Sequence, residues 1–342
     1  MIHDPTTRTL ARLPDGTPPQ LLVVVDTEEE FDWQQFDRAN ISVEAMADAH
    51  HGQTVCDRHG IVPTYVADHP VVTQRTGIDV LRTFLREGRA EVGAHLHPWV
   101  NPPFEEAVHA ANSYPGNLPP ALERAKMRAL GDAIERAFGS RPRIYKAGRY
   151  GIGAHSAAAL EAEGFDIDCS PCPAYDFSGD GGPDYSRVDA MPYWFGKARR
   201  LLCVPTTAGF VGAAGSAGAL APRLWRTATA PLAAKLRAPG VLSRLGVLSR
   251  IRLSPEGFDL HSLMRLTRSL RARGQQVFAF SYHSSTLRPG CTQYVHTVEQ
   301  RAAFLGVMND YFAWFLRDFG GAATTPLRLR ERLFGKGREV TA

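Results

Sequence analysis

The sequence predicts an α/β fold built as a barrel of about seven parallel strands, closed or nearly closed. Two observations carry this. Short apolar runs alternate with amphipathic stretches along most of the chain, and strands that alternate with helices imply parallel pairing through βαβ crossovers. Nearly every apolar run also ends in a polar side chain with chemical potential, and barrels of this class collect their chemistry at the C-terminal ends of their strands. A doubly wound open sheet is the alternative.

Taken in order, the strand candidates are 21–26, 61–67, 90–95, 143–147, 165–170, 201–205 and 276–283. Their ends carry Asp26, Asp68, His95, Lys146 with Arg149, Asp168 with Ser170, Thr206 and His283. Helical stretches lie between them. Residues 77–87 place Leu81, Phe84 and Leu85 on one face, and 122–138 do the same with Leu122, Met127, Leu130, Ile134 and Phe138; 155–163 is a third. Residues 1–19 read as a loose polar arm, 20–320 as the barrel domain and 321–342 as a basic peripheral tail. Five prolines in 101–120 mark a long loop after the histidines, a natural rim for a site.

The chain has 342 residues, 44% hydrophobic and 22% charged, enough for a full globular core. Met1-Ile2-His3-Asp4-Pro5 begins no signal peptide. Five sparse cysteines point to a reducing compartment, so a cytoplasmic location is expected. Cys169 and Cys172 form a lone Cys-x-x-Cys, which without a second pair reads as a small-residue turn rather than a zinc or redox motif.

The net charge of +4 hides an asymmetry. Residues 190–255 hold ten Lys and Arg and no Asp or Glu, while the rest of the chain carries 29 basic against 35 acidic residues. This basic segment overlaps a helical insertion at about 209–257, in two pieces split by Pro239-Gly240. Leu220, Leu224, Leu232 and Leu236 form one apolar face, and Val241, Leu245, Leu248 and Ile251 another. Three readings stand: a flap packed on the barrel, a self-association surface, or a contact with anionic lipid or a phosphorylated carrier, peripheral to the inner face of the membrane. No nucleic-acid motif accompanies the charge.

Ala94-His95-Leu96-His97 ends a strand candidate. Strand residues two apart share a face, so the imidazoles of His95 and His97 point the same way and form half of a metal site. A carboxylate should complete it. Asp26-Thr27-Glu28-Glu29-Glu30-Phe31-Asp32, five acids in seven residues directly after an apolar run, is the candidate source. An acid-rich helix start explains Glu29 and Glu30 better than it explains Asp26. Trp33, Trp99, Tyr150 and Trp194 are candidate platforms for a sugar ring.

These motifs, in this order, resemble the polysaccharide deacetylases, the NodB-homology carbohydrate esterases, over about residues 20–295. The resemblance implies a NodB-like distorted (β/α) barrel with the basic helical insertion. It implies Asp26 as general base and, because Thr27 stands at the usual ligand position, Glu28 as metal ligand beside His95. The family's second histidine lies four after the first; here that residue is Trp99, and His97 takes the role. Lys146 stands where an Arg orients the base, with Arg149 as the other possibility. Asp168 and Ser170 sit on the strand that shapes the substrate site, and His283 in Phe280-Ser281-Tyr282-His283 is the general acid.

The implied reaction is hydrolysis of an N-acyl group from an amino sugar in glycan or surface-polysaccharide biosynthesis, with a divalent metal, Zn²⁺ first among candidates. The implied substrate is an acylated amino sugar, lipid-linked or nucleotide-activated in a cytoplasmic step. Two other readings remain: an amidohydrolase-like metal hydrolase of another amide, and a barrel that binds a glycan without catalysis.

Overall fold

The computed structural model describes residues 8–30, 36–197, 200–218 and 220–337. Its strands are β1 (Thr9–Leu10), β2 (Gln20–Thr27), β3 (Thr64–Ala67), β4 (Glu91–Leu96), β5 (Ile144–Ala147), β6 (Ile167–Asp168), β7 (Tyr193–Phe195), β8 (Leu201–Cys203), β9 (Ala208–Val211), β10 (Ser249–Arg252), β11 (Val277–His283) and β12 (Ala322–Ala323). The main sheet runs β1-β7-β8-β6-β5-β4-β3-β2-β11, with β12 beside the start of β2. From β8 to β11 every pairing is parallel, and these seven strands are the seven predicted ones. β2 and β11 are buried along their whole length, which is why they read as apolar runs rather than alternating ones.

The sheet curls into a half-barrel. Adjacent strands lie about 4.8 Å apart, so β2 and β5, three steps along, would be about 14 Å apart if the sheet were flat. Yet Lys146 on β5 bonds Asp26 on β2 directly. Between β8 and β11 there is no ladder; Thr207 and Leu253 bridge to β11 through single backbone hydrogen bonds. Inward-facing residues of alternate parity, Leu22, Val24, Val66, Ile144, Ile167 and Leu202, fill the interior. The outward-facing set packs under helices Arg75–Arg86, Pro120–Phe138, Ser156–Ala162, Leu260–Ala272 and Val298–Ala313.

Two segments expected to be peripheral are packed. β1 pairs with β7, and Ala11 and Leu13 are buried. The C-terminal helix Pro326–Gly337 closes the bottom of the barrel: Leu329 and Leu333 enter the interior cluster, and Arg330 and Arg332 bond residues at the N-terminal ends of strands. The insertion also differs in detail. β9 and β10 form an antiparallel pair that carries three short helices, Leu220–Thr229, Pro231–Lys235 and Ala238–Arg244. Pro231 and Pro239 each fall in the first turn of a helix, where the missing N–H costs nothing, so the breaks precede these prolines.

Candidate metal centre and its flanking acid–base groups

Register brings the functional side chains level at the top of the barrel. Asp26 pairs with His283, and His95 with Lys146. The alternation that points Leu22 and Val24 inward also points Asp26 inward, so the polar site sits on the apolar layers below it.

Glu28, His95 and His97 converge. One Glu28 oxygen lies 3.3 Å from His95 Nε2 and 3.4 Å from His97 Nε2, and the three ligand atoms lie within 4.8 Å of one another. Each imidazole is held from behind. His95 Nδ1 is 3.0 Å from the Lys146 carbonyl, and His97 Nδ1 is 2.8 Å from Glu29. Protons on both Nδ1 atoms leave both Nε2 lone pairs facing Glu28. Burial lowers both histidines, His97 to about 4, so both are neutral, as ligands must be. Burial and the nearby Asp26, Glu29, Asp68 and Glu256 push Glu28 well above the carboxylate range. A divalent cation would relieve that crowding of negative charge, so the donor set fits one chemically.

Lys146 Nζ bonds both oxygens of Asp26, at 2.6 and 2.7 Å. Burial alone would raise the Asp26 pKa, yet Lys146 foremost, by charge and hydrogen bond, brings it down to about 2. On the far side, His283 Nε2 lies 3.8 Å from Asp26 and 3.9 Å from Glu28. Its Nδ1 faces Glu256, 2.9 Å away, and Glu256 also accepts from the His283 backbone N–H and from Thr286. Glu256 is fully buried, but His283 and Arg252 hold its pKa below the ordinary value. Arg252 in turn donates to the Tyr150 hydroxyl, and Tyr150 lines the pocket with its ring 5.3 Å from Lys146 Nζ.

Several expected site residues stand elsewhere. Trp99 is 1% exposed; it donates to Glu29 at 2.8 Å and stacks on His97, so it braces His97 and offers no open face to a sugar. Asp168 and Ser170 are fully buried. Ser170 bonds Asp168 and accepts from the Ala147 N–H, which ties β6 to β5 beneath the site. Trp194 packs on Phe334 at the closed end of the barrel. Arg149 does not orient Asp26, a role Lys146 fills. It lines the rim, bonded to Ser113 and Asp180 and lying over the Tyr114 ring, held by the proline-rich loop. Trp33 lies outside the described residues.

Three functional groups escaped the sequence reading. Glu29, which the sequence suggests as a helix-start acid, is the partner of His97. Asp68, noted only as a strand end, accepts from the Glu29 backbone N–H at 2.7 Å. Glu256 is the first acid after the acid-free stretch, a signal that was present but unread. Gly148 also matters: a Cβ there would run into the His97 ring and the Leu96 carbonyl.

The class this architecture defines is the NodB-like fold of the polysaccharide deacetylases. Among solved structures, a candidate polysaccharide deacetylase from Mycobacterium smegmatis matches with a TM-score of 0.50 and 13% identity, over 96% of this chain and 94% of the other. The Puue allantoinase matches with a TM-score of 0.55 and 13% identity, over 95% and 93%. At this identity the likeness is one of fold. No family model and no curated protein matches the sequence.

Proposed function

We propose that the chain is a metal-dependent hydrolase that removes an N-acyl group, acetyl in the simplest case, from an amino sugar. One observation carries this reading: a buried donor set of two neutral imidazoles and one carboxylate is flanked by a lysine-paired carboxylate and by a carboxylate-held histidine. Amide hydrolysis needs a base for the attacking water and an acid for the departing nitrogen.

Glu28, His95 and His97 would hold the cation, which when bound would supply Lewis-acid polarisation of the acyl oxygen and a more acidic water. Asp26, kept ionised by Lys146, takes the proton of the attacking water as the new C–O bond forms. His283, its Nδ1 fixed on Glu256, presents Nε2 and gives a proton to the nitrogen as the C–N bond breaks. Tyr150 and Arg149 stand at the rim where the sugar approaches.

Released acetate and free amine, measured on N-acetylglucosamine oligomers, test the reading. Asp26→Asn and His283→Asn should each lose about 10²–10⁴-fold in turnover. The likeness to an allantoinase fold favours one second reading, the same chemistry on a non-sugar amide. Turnover of ureide or cyclic amide substrates with none on acylated sugars would select it. Retained binding with no turnover on any amide would select a non-catalytic glycan-binding barrel.

A further inference from the structure

The insertion presents its leucines outward. Helix Leu220–Thr229 turns Ala221 and Trp225 toward a small core with Phe210 and Leu248, and buries Ala228 one turn on. That spacing of i, i+4 and i+7 uses up the buried face and leaves Leu220 and Leu224 in solvent, at 57% and 48% exposure. Leu232 on the next helix, Leu236 just after it and Leu245 at the end of the third are 70% exposed or more. A flap packed on the barrel by these leucines is therefore not what the chain builds.

Arg223, Arg226, Lys235, Arg237 and Arg244 are exposed beside them. None makes a salt bridge among the described residues, although Arg226 feels the carboxylate of Asp176, and residues 190–255 themselves hold no acid. Exposed apolar side chains interleaved with exposed cations on and between short helices fit the interface of an anionic bilayer, where leucines enter the acyl boundary and cations meet lipid phosphates. A second copy of this chain fits poorly, because a two-fold contact would set one cationic cluster against its equal. Among the described residues no helix is long and apolar enough to cross a membrane.

We propose that the insertion is a peripheral membrane-docking element that seats the protein on anionic lipid. This inference does not depend on the catalytic reading. A single exposed cation near an anionic surface strengthens binding about fivefold, so the cluster and the leucines together set a strong preference for charged lipid.

The test is co-sedimentation of the full chain with vesicles of about equal phosphatidylglycerol and phosphatidylcholine, and with phosphatidylcholine alone. Binding to the first and not the second is expected, with a fall at high salt. Leu232→Ser/Leu236→Ser and Arg237→Glu/Arg244→Glu should each weaken it about tenfold or more. Their side chains are exposed, so the fold should keep its unfolding midpoint. No binding to the charged vesicles would overturn the proposal. So would unchanged binding by the leucine variant, or a dimer in sedimentation velocity that the leucine variant abolishes.

Discussion

Lys146 Nζ lies 2.6 and 2.7 Å from the two oxygens of Asp26, a buried ion pair that joins β5 to β2 across the mouth of the barrel. It holds Asp26 at a pKa of about 2 against an ordinary 3.8. The folded value is depressed, so Asp26 in its surroundings, Lys146 foremost, contributes stability above about pH 4 that is lost as pH falls through about 2, on the order of 2 kcal/mol.

Lys146→Met strands a buried carboxylate and should cost about 3–5 kcal/mol. Asp26→Asn/Lys146→Met should recover most of that loss, while every one of these variants loses turnover. Urea unfolding of the four proteins closes the cycle; additive losses would show that the pair is not coupled.

The Glu256–His283 contact should matter to rate rather than binding. Glu256→Gln keeps one acceptor for Nδ1 but removes the charge behind the imidazole. A fall of about 10²-fold in kcat with little change in KM is expected. Steady-state kinetics that show an unchanged kcat would remove Glu256 from the mechanism.

Glu29 orients His97, and Trp99 orients Glu29. Glu29→Gln should weaken the cation about 10–100-fold, and Trp99→Phe should weaken it less in the same direction. Competition against a chromophoric chelator reads both constants. A Trp99→Phe protein with wild-type metal affinity but impaired sugar binding would restore the platform role that burial argues against.

Asp168 carries the opposite sign from Asp26. Burial lifts its pKa from 3.8 to about 7, and its Oδ2 has no hydrogen-bond partner among the described residues. The folded state prefers the protonated acid, so its contribution falls as pH rises from about 4 to about 7 and then levels off. Asp168→Asn cannot ionise. Its stability should therefore change less than that of the wild type between pH about 4 and about 8, as followed by denaturant midpoints.

The barrel was legible because each parallel strand is buried on both faces and ends in a polar residue; 21–26 and 276–283 match β2 and β11 to within a residue or so. Period-two alternation grouped His95 with His97, while the resemblance set Asp26 apart from Thr27, whose hydroxyl bonds the Val25 carbonyl. The residues behind them were not legible. Glu29 reaches His97 across 68 positions of chain, and Glu256 reaches His283 across 27. Contacts that long depend on how the sheet curls, which no local pattern encodes. Trp99 and Trp194 failed as platforms for the converse reason, since aromatic character says nothing about which side of a loop or sheet a ring takes.

Metal content shows most directly whether Glu28, His95 and His97 hold a divalent cation. Elemental mass spectrometry of the wild type and of His95→Ala/His97→Ala, purified without a histidine tag, measures it. About one divalent ion per chain in the wild type, lost in the variant, is the predicted result. A wild type that binds no ion even with zinc supplied in excess would contradict the account.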